Sequence, residues 1–434
     1  MVLLAARMSK PLNFLAAFQP GPGHLSRIGA VAGTLASRGH CVTLASAASS
    51  RRLLEHVPHQ HFLPIGPDWS EDRVALPPSG NGWQDLRDRS QLIVEAFFQS
   101  ASQVASDLEA ACEKQGAPDC YLFDYTLFGG PLAAERLGVP WIAMFGLTLP
   151  FKIDGWPPFG SYGGPAPSRS GSLVNSLMSR YVEWENRATY APLRRLWRGM
   201  GRSIRNPWDP CLRWAKAGIV GSILDCEFPL SPPMRSRFHY VGPIFDADEE
   251  AAASPDLEGF LAQRTGPLIH VTLGLTFSRA AAVLDTILEG LAPTTFSVVV
   301  ATGHLGGPHA GDAKTLFAPV VPHVRLFPQL DAVVCHGGAN TLMKSLHFGV
   351  PALVIPLGAE QRSNAARFVH AGIARTILPD RLNGETVRQE LLALLDPRLG
   401  YRERARELAK TARDNGGAAA AADIIERLCL PSHE

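Results

Sequence analysis

The stretch that most limits how this chain can fold is 332–361, AVVCHGGANTLMKSLHFGVPALVIPLGAEQ. It reads as strand, glycine turn, helix, strand and polar turn without interruption. Residues 332–335 are a short apolar, β-prone run, and Gly337-Gly338 lets the backbone turn sharply and approach a ligand. Asn340 and Thr341 are placed to cap the helix that follows. Its apolar positions Leu342, Leu346 and Phe348 share one face, and Gly349 then Pro351 stop it. A second strand, 350–357, leads into Gly358-Ala359-Glu360-Gln361. Such a βαβ unit brings free backbone N–H groups and the positive end of a helix together where His336, Gly338, Asn340 and Thr341 converge, an anion site suited to phosphate. Crossovers are right-handed, so the Glu360-Gln361 turn leaves the same carboxyl edge of the sheet and is placed for sugar hydroxyls.

HGGANT, a strand ending at Pro356, and then Glu360-Gln361 resemble the C-terminal half of the donor-binding box of UDP-glycosyltransferases. These are inverting enzymes of the GT-B fold and include bacterial macrolide and carotenoid and plant natural-product glycosyltransferases. The resemblance covers nearly the whole chain. It implies an α/β architecture of two doubly wound, Rossmann-like domains facing across a cleft. Residues 1–240 would bind the acceptor and 241–434 the nucleotide sugar, with the last helix, 416–428, packing back on the first domain. Read without the family, the same stretch is an ordinary βαβ unit.

A length of 434 residues suits two or three domains. Lys plus Arg number 41 against 40 Asp plus Glu, which argues against nucleic acid as the main partner. The seven cysteines form no CxxC pair, and their odd number and scatter suit a reducing cytoplasm rather than a disulfide framework or zinc site. No apolar run approaches the roughly 20 residues a membrane-spanning helix needs. Residues 1–7 read as an upstream start or an extension before Met8.

Residues 12–18 predict a strand, followed by the turn Gln19-Pro20-Gly21-Pro22-Gly23-His24, a helix to about Ser37 and a strand over 41–45. Pro22 and the lack of a third glycine argue against a dinucleotide fingerprint. GPGHLSR instead resembles the glycine-histidine loop in which the family keeps its general base, so His24 would face the cleft. Imidazole titrates near neutral pH and can take the proton of an attacking alcohol. Residues 118–124 predict a strand ending in Asp124, where the family places the carboxylate that orients the base. The rival Asp119 lies at the amino edge. Taken alone, His24 and Asp124 can each be helix caps.

Further along, residues 147–170 are rich in Pro and Gly and read as an acceptor-side loop or a plain surface connection. The stretch 187–216, with Arg187 and Lys216 at its ends, holds eight basic residues against Asp209 alone, with Trp197, Trp208 and Trp214 interleaved. It suits either a peripheral contact with the inner membrane face or a solvated basic face over packed indoles. Asp246-Ala247-Asp248 has the form of a metal pair but lies in the expected linker, so no metal is assigned.

The strand expected over 268–273 enters Gly274-Leu275-Thr276, which resembles the family's first phosphate loop. Leu275 replaces its small hydroxyl residue, leaving Thr276 or a backbone N–H to serve. Residues 295–302, 324–327 and 332–335 predict further strands. Between Phe327-Pro328-Gln329, read as the uracil-stacking region, and His336, a turn and short helix of the family are expected to be missing. The partners implied are a UDP-sugar and a small lipophilic acceptor, with no metal or other cofactor and no nucleic acid. The reaction implied is inverting hexosyl transfer, glucose being the first candidate. Two alternatives stand beside it: a catalytically silent nucleotide-sugar-binding partner, and a sugar-nucleotide epimerase on the same fold. Phe368 stands eight beyond Glu360, where retaining relatives of the fold would need an acid.

Overall fold

The computed structural model describes residues 10–54, 57, 61–68, 97–153, 155–166, 168–245, 255–274, 280–303, 311–358 and 360–429. Thirteen strands in these residues form two parallel sheets. The first contains β1 (Asn13–Ala17), β2 (Cys41–Ser46), β3 (His61–Pro64), β4 (Cys120–Asp124), β5 (Trp141–Phe145), β6 (Ala217–Val220) and β7 (Phe238–Tyr240), in the order β3-β2-β1-β4-β5-β6-β7. The second contains β8 (Leu268–Thr272), β9 (Ser297–Ala301), β10 (Thr315–Ala318), β11 (Ala332–Cys335), β12 (Ala352–Val354) and β13 (Ala374–Thr376), in the order β10-β9-β8-β11-β12-β13. Central strands such as CYLFD, WIAMF and LIHVT are buried along their whole length, because helices cover both faces of each sheet.

Eight helices position the chemistry: α1 (Pro22–Ser37), α2 (Arg169–Glu185), α3 (Ala191–Gly199), α4 (His323–Leu326), α5 (Ala339–Phe348), α6 (Gln361–His370), α7 (Tyr401–Asp414) and α8 (Gly417–Cys429). Pro22 at the first turn of α1 supplies a preset φ where a backbone donor is not needed. The apolar face of α8, with Ala421, Ala422 and Ile425, joins the core of the first sheet and lies against α1. There Arg38 bridges Asp423 and Glu426 at 2.7 and 3.0 Å.

The two sheets are joined by more than the chain. Leu147, Ile223 and Cys226, which follow strands of the first sheet, pack into the core of the second. Thr148 Oγ1 donates to Asn364 Oδ1 at 2.5 Å, and Gly160 N donates to Ser363 Oγ at 2.9 Å. Arg367 forms a buried ion pair with Glu227, its guanidinium lying 4.5 Å from the Phe228 ring centre and 4.9 Å from that of Trp156. Residues 147–170 are thus strapped down: Trp156 is buried and its Nε1 donates to Pro229 O at 3.2 Å.

Two expectations are corrected here. Residues 324–327 are not a strand: 323–326 form α4, and Phe327-Pro328-Gln329 continues it as a 3-10 turn. Pro322 opens this helical segment and Pro328 denies the ladder a donor, so the β-prone Val-Leu-Phe composition is overridden. The turn and short helix thought to be missing before His336 are therefore present as these same residues. Phe327 is fully buried, packed at 6.1 Å from His270 and 6.2 Å from Phe348, and offers no stacking platform. The open segment is the turn before it, 319–322, where Val320 is 73% exposed beyond the end of β10.

The basic stretch 187–216 also keeps its indoles inside. Trp197 is fully buried and stacks on Trp214 at 4.7 Å, while Trp208 packs against Phe128 and Phe159. It is a basic face over packed tryptophans. Among the described residues no helix is long and apolar enough to cross a membrane.

Candidate active site between the two sheets

In a doubly wound sheet, ligands bind beyond the carboxyl ends of the strands, where the winding reverses. The first sheet reverses between β1 and β4, and the second between β8 and β11. The carboxyl ends of these four strands and the segments that leave them carry His24, Asp124, Gly274 and His336.

At the first reversal, His24 Nδ1 lies 3.1 Å from Asp124 Oδ2, with the imidazole 27% exposed and the carboxylate fully buried. An ionised carboxylate only accepts, so Nδ1–H donates to it. That leaves Nε2 as the basic nitrogen. Asp124 is held from every side: Thr126 N donates to Oδ1 at 3.0 Å, the Thr126 hydroxyl reaches the same oxygen, and Arg27 Nη2 donates to Oδ2 at 2.8 Å. Burial alone would push the carboxyl up, but the charges of His24 and Arg27 with these hydrogen bonds hold it well below the usual carboxylate range. The carboxylate therefore stays an acceptor at any working pH. Asp119, the rival, accepts from Asn13 N at 2.7 Å at the opposite edge and is out of reach.

Arg27 escaped the sequence reading. One turn beyond His24 on α1, it is buried, donates to Gly23 O at 3.1 Å, and leaves its Nε without a partner. The signal that points to it is a basic residue three positions after the histidine, hence on the same helix face.

At the second reversal, His336 lies between two glycine loops. Gly274, at φ +76°, comes so close that a Cβ there would stand 2.9 Å from His336 Cε1, and a Cβ on Gly338 would stand 2.5 Å from Nε2. Gly337 at φ +91° makes the turn that left-handed backbone requires. Burial pushes the His336 imidazole down to about 4, with the Thr272 backbone working against that shift. The ring is neutral at pH 7. Gly338 caps α5 and Thr341 is buried in its first turn, so the leading N–H groups of 338–341 point out of the helix toward the first sheet.

The two reversals face each other. A Cβ on Gly23 would stand 3.8 Å from Asn340 Nδ2, and one on Gly146 would stand 3.2 Å from Ala339 Cβ and 3.6 Å from Arg27 Nη1. Asn340 Oδ1 is buried there with no partner. Glu360 begins α6, and its charge is felt at Tyr125 next to Asp124: burial pushes that phenol well up and Glu360 adds to the rise. Gln361 is buried, and its Oε1 accepts from Leu357 N and Gly358 N at 2.8 and 3.1 Å, so it shapes the loop with its carbonyl oxygen. Asn364 Nδ2 donates to Gly337 O at 2.9 Å, tying α6 to the glycine turn. His24, Asp124, His336, Gly338, Asn340, Thr341, Glu360 and Gln361 thus line one cleft. Thr276 and Leu275 lie outside the described residues, as do Asp246 to Asp248.

Two parallel, doubly wound sheets, with a histidine–carboxylate pair at one reversal and a helix N-terminus facing it from the other, have the GT-B architecture. Residues 321–427 match the glycosyltransferase family 28 C-terminal domain. Over 95% of its length the chain is 27% identical to 4'-demethylrebeccamycin synthase of Lentzea aerocolonigenes, covering 99% of that protein. Over 96% it is 25% identical to zeaxanthin glucosyltransferase of Pseudescherichia vulneris, covering 97% of it. The solved glycosyltransferase of kitacinnamycin superposes with a TM-score of 0.71 at 22% identity, over 98% of this chain and all of that one. Similarity to glycosyltransferases thus extends over nearly the whole chain, and its C-terminal part carries the family 28 domain.

Proposed function

We propose that the chain transfers a hexose, glucose being the first candidate, from a UDP-sugar to a hydroxyl of a small lipophilic natural-product acceptor, with inversion at the anomeric carbon. The observation that carries this is the His24–Asp124 pair facing the N-terminus of α5 across the cleft. His24 Nε2 takes the acceptor's hydroxyl proton while Asp124 holds Nδ1–H and steadies the imidazolium. The acceptor oxygen attacks the anomeric carbon from the side opposite the diphosphate. The bond to the diphosphate oxygen breaks, and the electron pair leaves with the nucleotide. The N–H groups of 338–341 and the dipole of α5 receive that charge, with Thr276 as a further donor. Glu360 binds sugar hydroxyls, and the 319–322 turn lies at the side where the nucleobase would rest.

No metal or other cofactor belongs to this reading. The helix end takes the charge a cation would carry. Phe368, buried at the place a retaining enzyme's acid would need, favours inversion. A cytoplasmic location goes with it, on the scattered, unpaired thiols. The silent-partner alternative loses the shortened connection on which it leaned, since α4 is present.

The test is a panel of UDP- and dTDP-sugars with small aromatic and polyene alcohols, products being read by mass and by the anomeric proton coupling. The reading expects a β-glycoside from an α-linked donor. A retained configuration overturns the inverting mechanism, and tight nucleotide binding with no transfer to any acceptor favours the silent partner.

A further inference from the structure

Helix α2 is built inside out. Its N-cap Ser168 accepts from Gly171 N at 3.2 Å, so the helix is properly begun. Its polar side faces the protein: Asn175 Nδ2 donates to Gly155 O at 3.1 Å, and Ser179, its one buried residue, donates to Asn175 O at 2.8 Å. The opposite side carries Leu173, Val174, Leu177, Met178, Tyr181 and Trp184 at helical spacing, each between 49% and 61% exposed. A globular surface helix shows the reverse pattern, and a contiguous apolar strip of this kind marks a contact.

Charge and aromatic placement say what covers it. Arg169, Arg180 and Arg187 recur at spacings of eleven and seven, which sets them along one border of the apolar strip. All three are exposed, with no acidic partner among the described residues. Arg187 lies 4.3 Å from the Trp184 ring centre, and Tyr181 sits 6.0 Å from the same indole, an amphipathic girdle where the strip meets the charged border. From Arg169 to Arg205 there are eight basic residues against Glu183 and Glu185, in a chain whose net charge is +1. A second copy of this surface would bring like charges together, whereas an anionic lipid surface matches both apolar strip and basic border.

We propose that α2 lies in the interface of an anionic bilayer, with Leu173, Leu177, Met178 and Trp184 among the acyl chains and Arg169, Arg180 and Arg187 at the headgroups. The contact does not depend on the transfer chemistry. It lies on the helix that follows the loop 147–170, so a lipophilic acceptor leaving the bilayer would meet the acceptor side of the cleft.

The experiment is co-sedimentation of the full chain with vesicles of equimolar phosphatidylglycerol and phosphatidylcholine, or of phosphatidylcholine alone, alongside sedimentation velocity without lipid. Partition into the anionic vesicles should be at least about tenfold stronger and should weaken in high salt, since each basic residue near such a surface contributes measurably. Leu173→Ser/Leu177→Ser/Trp184→Ser should lose it at an unchanged melting temperature. Arg169→Gln/Arg180→Gln/Arg187→Gln, confined to exposed side chains, should remove the preference for anionic lipid and keeps the test decisive if the first variant misfolds. Equal partition into both vesicles, no partition, or wild-type binding by the variants overturns the proposal. A dimer that the apolar variant dissociates, with no vesicle binding, assigns the face to a second copy instead.

Discussion

The Nδ1 of His24 and the Oδ2 of Asp124 stand 3.1 Å apart although 100 residues separate them, and Arg27 reaches the same oxygen at 2.8 Å. One carboxylate thus serves both the proposed base and a buried cation. Because Arg27 is buried, Asp124→Asn leaves a guanidinium without its counter-charge, which costs about 3–5 kcal/mol. The carboxyl titrates below its unfolded value of about 3.9, so its contribution is complete above that pH and fades as pH falls toward the folded value. Urea midpoints from pH 7 down to pH 2 should therefore show wild type converging on Asp124→Asn at the acid end. A constant gap across the range contradicts the pairing.

Gly338→Ala is a test of the second reversal. The backbone there is at φ −63°, an angle alanine adopts, and the nearest atoms the added methyl meets are those of the His336 ring, at 2.5 Å. Nucleotide affinity by calorimetry should fall at least tenfold, about 1.4 kcal/mol. His336→Ala in the same chain should relieve the crowding, and failure to do so places the loss elsewhere.

How much of this was legible differs from element to element. The strand–turn–helix of 332–348 and the residues His24 and Asp124 could be read because long apolar runs, glycine turns and helix stops agree there. β3, β10 and β13 could not: HFLP, TLFA and ART are three- or four-residue edge or near-edge strands with no alternation to detect. At 324–327 a β-prone composition misled, because flanking prolines decide a segment this short. The inverted face of α2 was invisible for a different reason. Periodicity reports that one side of a helix is apolar, not which side the protein covers.

The ion pair between Arg367 and Glu227 clamps the two sheets. Burial raises the Glu227 carboxyl despite Arg367's opposing pull and the bonds from Phe228 N and Tyr240. Arg367→Met should destabilise by about 3 kcal/mol or more at pH 7, where an unpaired buried carboxylate is costly. It should do so less at pH 5, where Glu227 can take up a proton. Glu227→Gln in the Arg367→Met background should recover part of the loss in urea unfolding.

Because the diphosphate is assigned to the N-terminus of α5, transfer should proceed at its full rate after dialysis against EDTA. A rate that collapses and is restored by magnesium or manganese removes the metal-free reading.

The most direct measurement is steady-state transfer by His24→Ala beside wild type, with UDP affinity taken by calorimetry on the same preparations. The account predicts a loss of at least about a hundredfold in kcat/KM, the usual contribution of a positioned general base, with UDP binding unchanged. Transfer at the wild-type rate by a variant that binds UDP normally would contradict it.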